Sequence, residues 1–428
     1  MSLLLRGGLV VTQDAGRRIV RGDVLVEKGR VVAVGSVPGG ADEEIDCGNC
    51  AVIPGLINAH NHVANTLLRG IADDVPLEAM LEKSFAADAK LTRRDVQVGA
   101  LLGCLEMLRG GTTSFVDLFY WEDEVARAVR ESGIRGFLAW VTLDEAFTTQ
   151  RGNPVRNAEA FVRKHRGLAR VHPWVGVQGV YACSEETWLA AKEVADREDV
   201  RLHGHLAETR PEVYNHQAKH GLRPAEWLES IGFLSERFLA AHAVWLTLSE
   251  VRTLARRGVS VAHCPVSNMK LASGGVAPVP EMLEAGVPVG LGTDSPISNN
   301  GMDLLADLKL AALLHKSSRW DARVLPAQAA LDMVTVEAAR AVGMTGSLGS
   351  IEPGKIADLA VVDLGSPNLT PTTEANLVSN LVYAARSGDV RDVVVDGRAV
   401  LRGRRFPGLD EAQVVARAAE ASREALEL

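Results

Sequence analysis

The chain has 428 residues, more than one ordinary core accommodates, so a large domain joined to a smaller one is expected. Hydrophobic residues make up 47% and charged residues 23%, the balance of a globular protein. A net charge of −8 argues against a nucleic-acid-binding surface as the main role, because phosphate binding needs a basic excess.

The apolar start at residues 1–6 is too short for a signal peptide and runs straight into a strand pattern. No run reaches the length of a membrane span. A cytoplasmic location without a membrane partner is therefore expected. Strands are predicted at residues 3–11, 19–27 and 30–34, punctuated by Gly7-Gly8, Gly22-Asp23 and Lys28-Gly29. The five cysteines, an odd and sparse set, fit a reducing compartment. Cys47 and Cys50 form one C-x-x-C without the second pair of a zinc ribbon, and they read as two thiols that share a loop.

From residue 55 to about 350 short apolar runs alternate with helical stretches. Strands are predicted at 57–62, 113–117, 136–141, 174–180, 201–207, 239–244, 260–264 and 287–292. Helices are predicted at 91–109, 122–131, 185–198, 249–256 and 301–316. Eight strands alternating with helices is the form of a (β/α)8 TIM-type barrel; a doubly wound open sheet is the alternative. Residues 356–363 and 390–401 are again β-rich, with Asp396-Gly397 as a hairpin turn. A last helix over 410–428 presents Val414, Ala418 and Ala421 as an apolar stripe. The ends, residues 1–54 and 351–428, are thus expected to pair into one composite β-sandwich domain, with the barrel over 55–350 inserted between them.

The C-terminal ends of the barrel strands carry metal-competent residues. His60 and His62 share one face of an extended segment, so two imidazoles point the same way. His203, His205 and Glu208 follow at the fifth strand, His242 at the sixth, His263 at the seventh and Asp294 at the eighth. Such residues recurring in strand order point to a metal site at the barrel mouth. His165, His172, His216, His220 and His315 read as ordinary surface residues.

The run Pro54-Gly55-Leu56-Ile57-Asn58-Ala59-His60-Asn61-His62 resembles the amidohydrolase superfamily, as do His205-Leu206-Ala207-Glu208-Thr209, Ala241-His242 and Gly292-Thr293-Asp294-Ser295. The segments beginning Asn65-Thr66-Leu67-Leu68-Arg69-Gly70, Ser267-Asn268-Met269-Lys270, Ser298-Asn299-Asn300 and Gly349-Ser350-Ile351-Glu352-Pro353-Gly354 are similar to its branch of 5′-methylthioadenosine/S-adenosylhomocysteine deaminases and chlorotriazine hydrolases. The likeness covers nearly the whole chain. It implies His60, His62, His205 and Asp294 as ligands of one Zn²⁺ per chain, with Fe²⁺ also compatible with the donor set. It implies that Glu208 protonates a ring nitrogen, that His242 polarises water or steadies the tetrahedral centre, and that Asp294 doubles as base. His203 shares a strand face with His205 and is the competing ligand; the His-x-x-Glu spacing decides for His205. Glu208 has a bland alternative, a cap on the helix after the fifth strand. The Ser267-Asn268 loop either contacts substrate or shapes the rim. Oligomers are common among such proteins, so a homo-oligomer is compatible with the likeness, and no residue argues for one.

Three positions depart from the adenosine-type pattern. Met80 stands where the branch usually has Trp, Asp88 where a Glu holds ribose hydroxyls, and Gln178 where a histidine lies between prolines. Arg151 and Arg156 are candidates for a substrate carboxylate, or solvated loop charges. The expectation is a hydrolytic deaminase of a small nitrogen heterocycle, adenosine-type or a related purine, pterin or triazine, which need not be an adenosine derivative. The alternative is a triazine hydrolase displacing chloride or alkylamine. A cytidine-type deaminase is excluded by the absence of any Pro-Cys pair. A non-catalytic scaffold conflicts with the intact donor set.

Overall fold

The computed structural model describes residues 2–147 and 153–426. The N-terminal strands are β1 (Ser2–Val11), β2 (Ile19–Glu27), β3 (Arg30–Gly35), β4 (Glu43–Asp46) and β5 (Cys50–Pro54). The barrel strands are β6 (Leu56–Asn61), β7 (Thr112–Phe119), β8 (Arg135–Thr142), β9 (Val171–Val177), β10 (Leu202–Leu206), β11 (Phe238–His242), β12 (Ser260–His263) and β13 (Val289–Leu291). Near the C-terminus follow β14 (Leu359–Asp363), β15 (Val390–Val395) and β16 (Arg398–Leu401).

Strands β6 to β13 form one parallel sheet in chain order. A bridge between Asn61 and Asp294 joins the last strand to the first, with the Asp294 N–H donating to the His60 carbonyl at 2.9 Å. The sheet therefore closes into the predicted barrel, and the open-sheet alternative falls away. All eight positions of β7 and of β8 are buried. Strands covered on both faces read as continuous apolar runs rather than alternating ones.

The second sheet draws on both chain ends, in the order β16-β15-β14-β5-β1-β2-β3, with β4 on β1. Strand β14 pairs antiparallel with β5, which ties residues 50–54 to 359–363. Leu5, Val24, Val52, Leu359 and Val394 fill a separate small core there. Cys47 and Cys50 lie in that core rather than in an open loop; burial pushes the Cys47 thiol up to about 12 and raises Cys50 as well.

Arg135 at the foot of β8 meets Asp358 in a fully buried bidentate ion pair, Nε–Oδ2 3.0 Å and Nη2–Oδ1 3.2 Å, and Asp358 also accepts the Asp396 N–H at 2.7 Å. This pair fastens the barrel to the second sheet. The last helix, Glu411–Leu426, buries Val414, Ala418 and Ala421 as predicted, together with Ala425. The helix predicted from residue 91 begins at Arg93, because Thr92 caps it in a reciprocal capping box with Asp95.

Three histidines expected at the surface are buried, each with a partner for its polar tip. His165 hydrogen bonds Asp123 at 2.6 Å and packs on Phe161. His216 donates from Nδ1 to the Leu222 carbonyl at 3.0 Å and packs on Trp227. His315 meets His263, Nε2 to Nε2, at 3.2 Å. Among the described residues no helix is long and apolar enough to cross a membrane.

Candidate active site

At the C-terminal mouth of the barrel, His60 is the penultimate residue of β6, His62 lies one residue beyond that strand, His205 stands on β10, and His242 closes β11. Asp294 follows β13. Chain geometry makes room for them. A Cβ on Gly204 would collide with the Val177 carbonyl, and one on Gly292 would lie 2.9 Å from the His60 Cβ. His242 and Asp294 adopt left-handed backbone, φ 73° and 61°. Non-glycine residues held there store strain, which clusters at functional sites.

Hydrogen bonds fix the tautomer of each imidazole. His203 donates from Nδ1 to the Leu239 carbonyl at 2.8 Å, so its Nε2 is an acceptor. His60 donates its Nδ1–H to that nitrogen at 2.7 Å and keeps a bare lone pair on Nε2. His62 donates from Nδ1 to the Leu118 carbonyl at 2.6 Å, and His205 donates from Nδ1 to the Gln178 carbonyl. Three Nε2 lone pairs are thus left to face the mouth. Burial lowers the His60 pKa, drives that of His205 well down and that of His242 to about 3, so these rings are neutral at neutral pH; at His62 burial also lowers the pKa but is outweighed by Asp294, which raises it.

Asp294 Oδ1 lies 3.3 Å from His60 Nε2 and 3.4 Å from His62 Nε2. Its other oxygen accepts the hydroxyls of Ser267 and Ser298, the latter at 2.9 Å. Burial alone would raise the Asp294 pKa, but His60, His62 and His242 beside it hold it well below the usual carboxylate range. The His60 Nε2 has no hydrogen-bond partner among the described residues. With the His60 ring neutral, its bare Nε2 is set lone pair against lone pair with Asp294, and a divalent cation fits between them. The donor atoms of His60, His62 and Asp294 lie within 4.8 Å of one another, as do those of His60, His205 and His242.

Glu208 lies beside this cluster, its Oε2 3.7 Å from His242 Nε2. It is not the helix cap. Thr209 caps the helix Arg210–His220, and the Glu212 carboxylate accepts the N–H groups of Ala207, Glu208 and Thr209. Burial, with Asp294, Glu212 and Glu78 near it, drives the Glu208 pKa well above the usual carboxylate range, which favours its protonated form. Asn268 Nδ2 donates to His242 Nδ1 at 3.1 Å, which leaves the His242 proton on Nε2, facing Glu208.

A cavity of about 730 Å³, counting its open mouth, leads to the cluster. Met80, Asp88 and Gln178 line it, as do His62, His205, Glu208, His242 and Asp294. The helix Leu77–Asp88 forms one wall through Leu77, Met80, Leu81, Ser84 and Asp88. Burial pushes Asp88 up to about 7. Arg151 lies outside the described residues. Arg156 is exposed on the helix Pro154–His165 and does not line the cavity. His263 is buried against His315, away from the cavity lining. His203 is the residue whose role the sequence leaves hidden: it orients His60 instead of competing with His205. Ser267 and Asn268 likewise hold Asp294 and His242 and do not line the cavity. The acceptors of Leu118, Gln178 and Leu239 are backbone carbonyls, for which side-chain spacing gives no signal.

A closed parallel barrel gathering imidazoles and a carboxylate at its C-terminal mouth is the architecture of a metal-dependent hydrolase. The amidohydrolase family model matches residues 51–400, and the chain belongs to that family. It is 43% identical to a 5′-deoxyadenosine deaminase of Methanothrix thermoacetophila, over 96% of this chain and 98% of that one. It is 41% identical to a 5-methylthioadenosine/S-adenosylhomocysteine deaminase of Syntrophobacter fumaroxidans, over 97% and 96%. Among solved structures it matches a zinc-bound adenosine deaminase of Xanthomonas campestris, with TM-score 0.95, 33% identity and coverage of 100% and 99%. It also matches a zinc-complexed atrazine chlorohydrolase of Arthrobacter aurescens, with TM-score 0.91, 27% identity and coverage of 98% and 100%.

Proposed function

We propose that this protein is a metal-dependent hydrolytic deaminase that removes the amino group of an adenosine-type nucleoside as ammonia. The observation that carries the reading is the convergence of the His60, His62 and His205 Nε2 atoms and Asp294 beside a buried Glu208 whose pKa is raised. His60, His62, His205 and Asp294 hold one ion per chain; this nitrogen-rich set suits Zn²⁺ and also accepts Fe²⁺. Such an ion, when bound, acts as a Lewis acid and lowers the pKa of water to about 7.

The rest belongs to the chain. Asp294, held ionised, takes a proton from the attacking water. Glu208, held protonated, gives its proton to the ring nitrogen next to the carbon under attack. His242 directs its Nε2–H at the oxygen of the tetrahedral centre. Asp294 then passes its proton to the amine, the carbon–nitrogen bond breaks, ammonia leaves, and the hydroxyl proton of the collapsing centre returns to Glu208 as the carbonyl forms. Asp88 receives sugar hydroxyls, while Met80 and Gln178 shape the wall around the base.

The names of the relatives, similar over nearly the whole chain, favour an adenosine-type substrate over the wider heterocycle range. The triazine reading rests on structural neighbours at lower identity. Ammonia release by the zinc-loaded protein from a panel of adenosine-type, guanine-type, pterin and triazine amines tests the choice. Release from 5′-deoxyadenosine or methylthioadenosine that vanishes in Glu208→Gln and Asp294→Asn is expected. Loss of chloride or alkylamine from triazines, with no ammonia from any nucleoside, would replace this reading by the alternative.

A further inference from the structure

Lys270 does not line the cavity, yet it joins the two sides of it. It ends the short helix Pro265–Lys270, whose Ser267 and Asn268 hold Asp294 and His242. Its ammonium donates to Asp73 Oδ1 at 2.6 Å, to the Ile297 carbonyl at 3.1 Å and to Asn300 Oδ1. All three N–H bonds of the ammonium are therefore used. Asn300 turns its Nδ2 to Asp73, 3.3 Å from each carboxylate oxygen. Reversing that amide would set its nitrogen against the ammonium and its oxygen against the carboxylate, so charge on both sides fixes its orientation. Arg69 strengthens the same junction by donating to the Asn300 carbonyl and to Glu106.

Segments distant in sequence thus meet at one ammonium. Asp73 precedes the wall helix Leu77–Asp88, whereas Ile297 and Asn300 follow Asp294. Only three residues separate Asp73 from Leu77, and one is Pro76, whose ring fixes φ. A displacement of Asp73 therefore carries into the first turns of the helix, where Leu77, Met80 and Leu81 face the cavity. We propose that Lys270 is a positioning residue: through Asp73 it latches the substrate wall to the metal side of the site and sets the fit of Leu77, Met80 and Leu81 to the substrate. This rests on the cavity being the substrate site of the deaminase reading above. A lone surface ion pair stabilises little. The effect of breaking this one falls on the placement of the wall and leaves global stability nearly unchanged.

The test uses the zinc-loaded protein with 5′-deoxyadenosine. Lys270→Met keeps the length of the side chain and removes the charge; Asp73→Asn keeps the shape of the acceptor. Each should raise KM about tenfold with a much smaller change in kcat, and the double variant should lose no more than either single one. Zinc content and melting temperature should match wild type. Amide hydrogen exchange should quicken over residues 70–84 and stay as in wild type over 260–300. Additive losses, unchanged kinetics, or a fall in kcat or zinc content at unchanged KM would overturn the role of Lys270 and leave the deaminase reading in place. No ammonia from the wild type with any nucleoside would overturn the deaminase reading, while unchanged exchange over 70–84 in the variants would overturn the latch by itself.

Discussion

His203 Nε2 lies 2.7 Å from His60 Nδ1, and the two rings meet edge to face at 66°. Because His203 is itself pinned by the Leu239 carbonyl, this contact decides which nitrogen of His60 is bare. His203→Phe keeps the ring volume and removes the acceptor. Zinc affinity, read by chelator competition, should fall about 10–100-fold, the usual effect of losing such an orienting partner. Affinity that matches wild type would mean that packing alone orients His60.

Burial pushes the Glu208 pKa up, whereas the imidazoles beside Asp294 outweigh burial and hold its pKa down. Catalysis needs the proton on Glu208, so kcat/KM should decline as pH rises through its elevated pKa. Glu208→Gln should lower kcat about 10²–10⁴-fold and abolish that alkaline limb, with zinc content unchanged. A variant that retains the limb would assign it to another group.

Asp88 titrates at about 7, raised chiefly by burial. Below that pH it is protonated and accepts poorly; above it the carboxylate is the better acceptor for the two sugar hydroxyls that the proposed function assigns to it. KM for an adenosine-type nucleoside should therefore fall as pH rises through about 7. Asp88→Asn should raise KM, flatten this dependence and leave kcat nearly intact. A steep pH dependence of KM in the variant would point elsewhere.

The Arg135–Asp358 pair joins the barrel to the second sheet with both side chains buried, at 1% and 3% exposure. Asp358→Ala leaves the guanidinium charge uncompensated and should cost about 3–5 kcal/mol in urea unfolding. Removing both charges, Arg135→Met with Asp358→Leu, should recover much of the loss. A double variant as unstable as the single one would show that the Asp396 N–H contact carries the effect.

Much of the site was legible because its residues fall at strand ends in a fixed order. The alternation of β6 puts His60 and His62 on one side, and His205, His242 and Asp294 recur at the same rim. The misjudged histidines, His165, His216 and His315, lie in helices whose surroundings the local pattern does not report. Each is buried because one partner, Asp123, the Leu222 carbonyl or His263, meets its polar tip.

The sequence by itself determined the barrel, the pairing of the two chain ends and which histidines and carboxylates fall at the barrel mouth. Hydrophobic period, turn residues and ligand spacing are local properties that survive in one dimension. Only the tertiary structure decided the tautomers and the raised pKa of Glu208. Those depend on burial and on partners such as Leu239 and Asp294, which are distant in sequence and meet only when the barrel closes between Asn61 and Asp294.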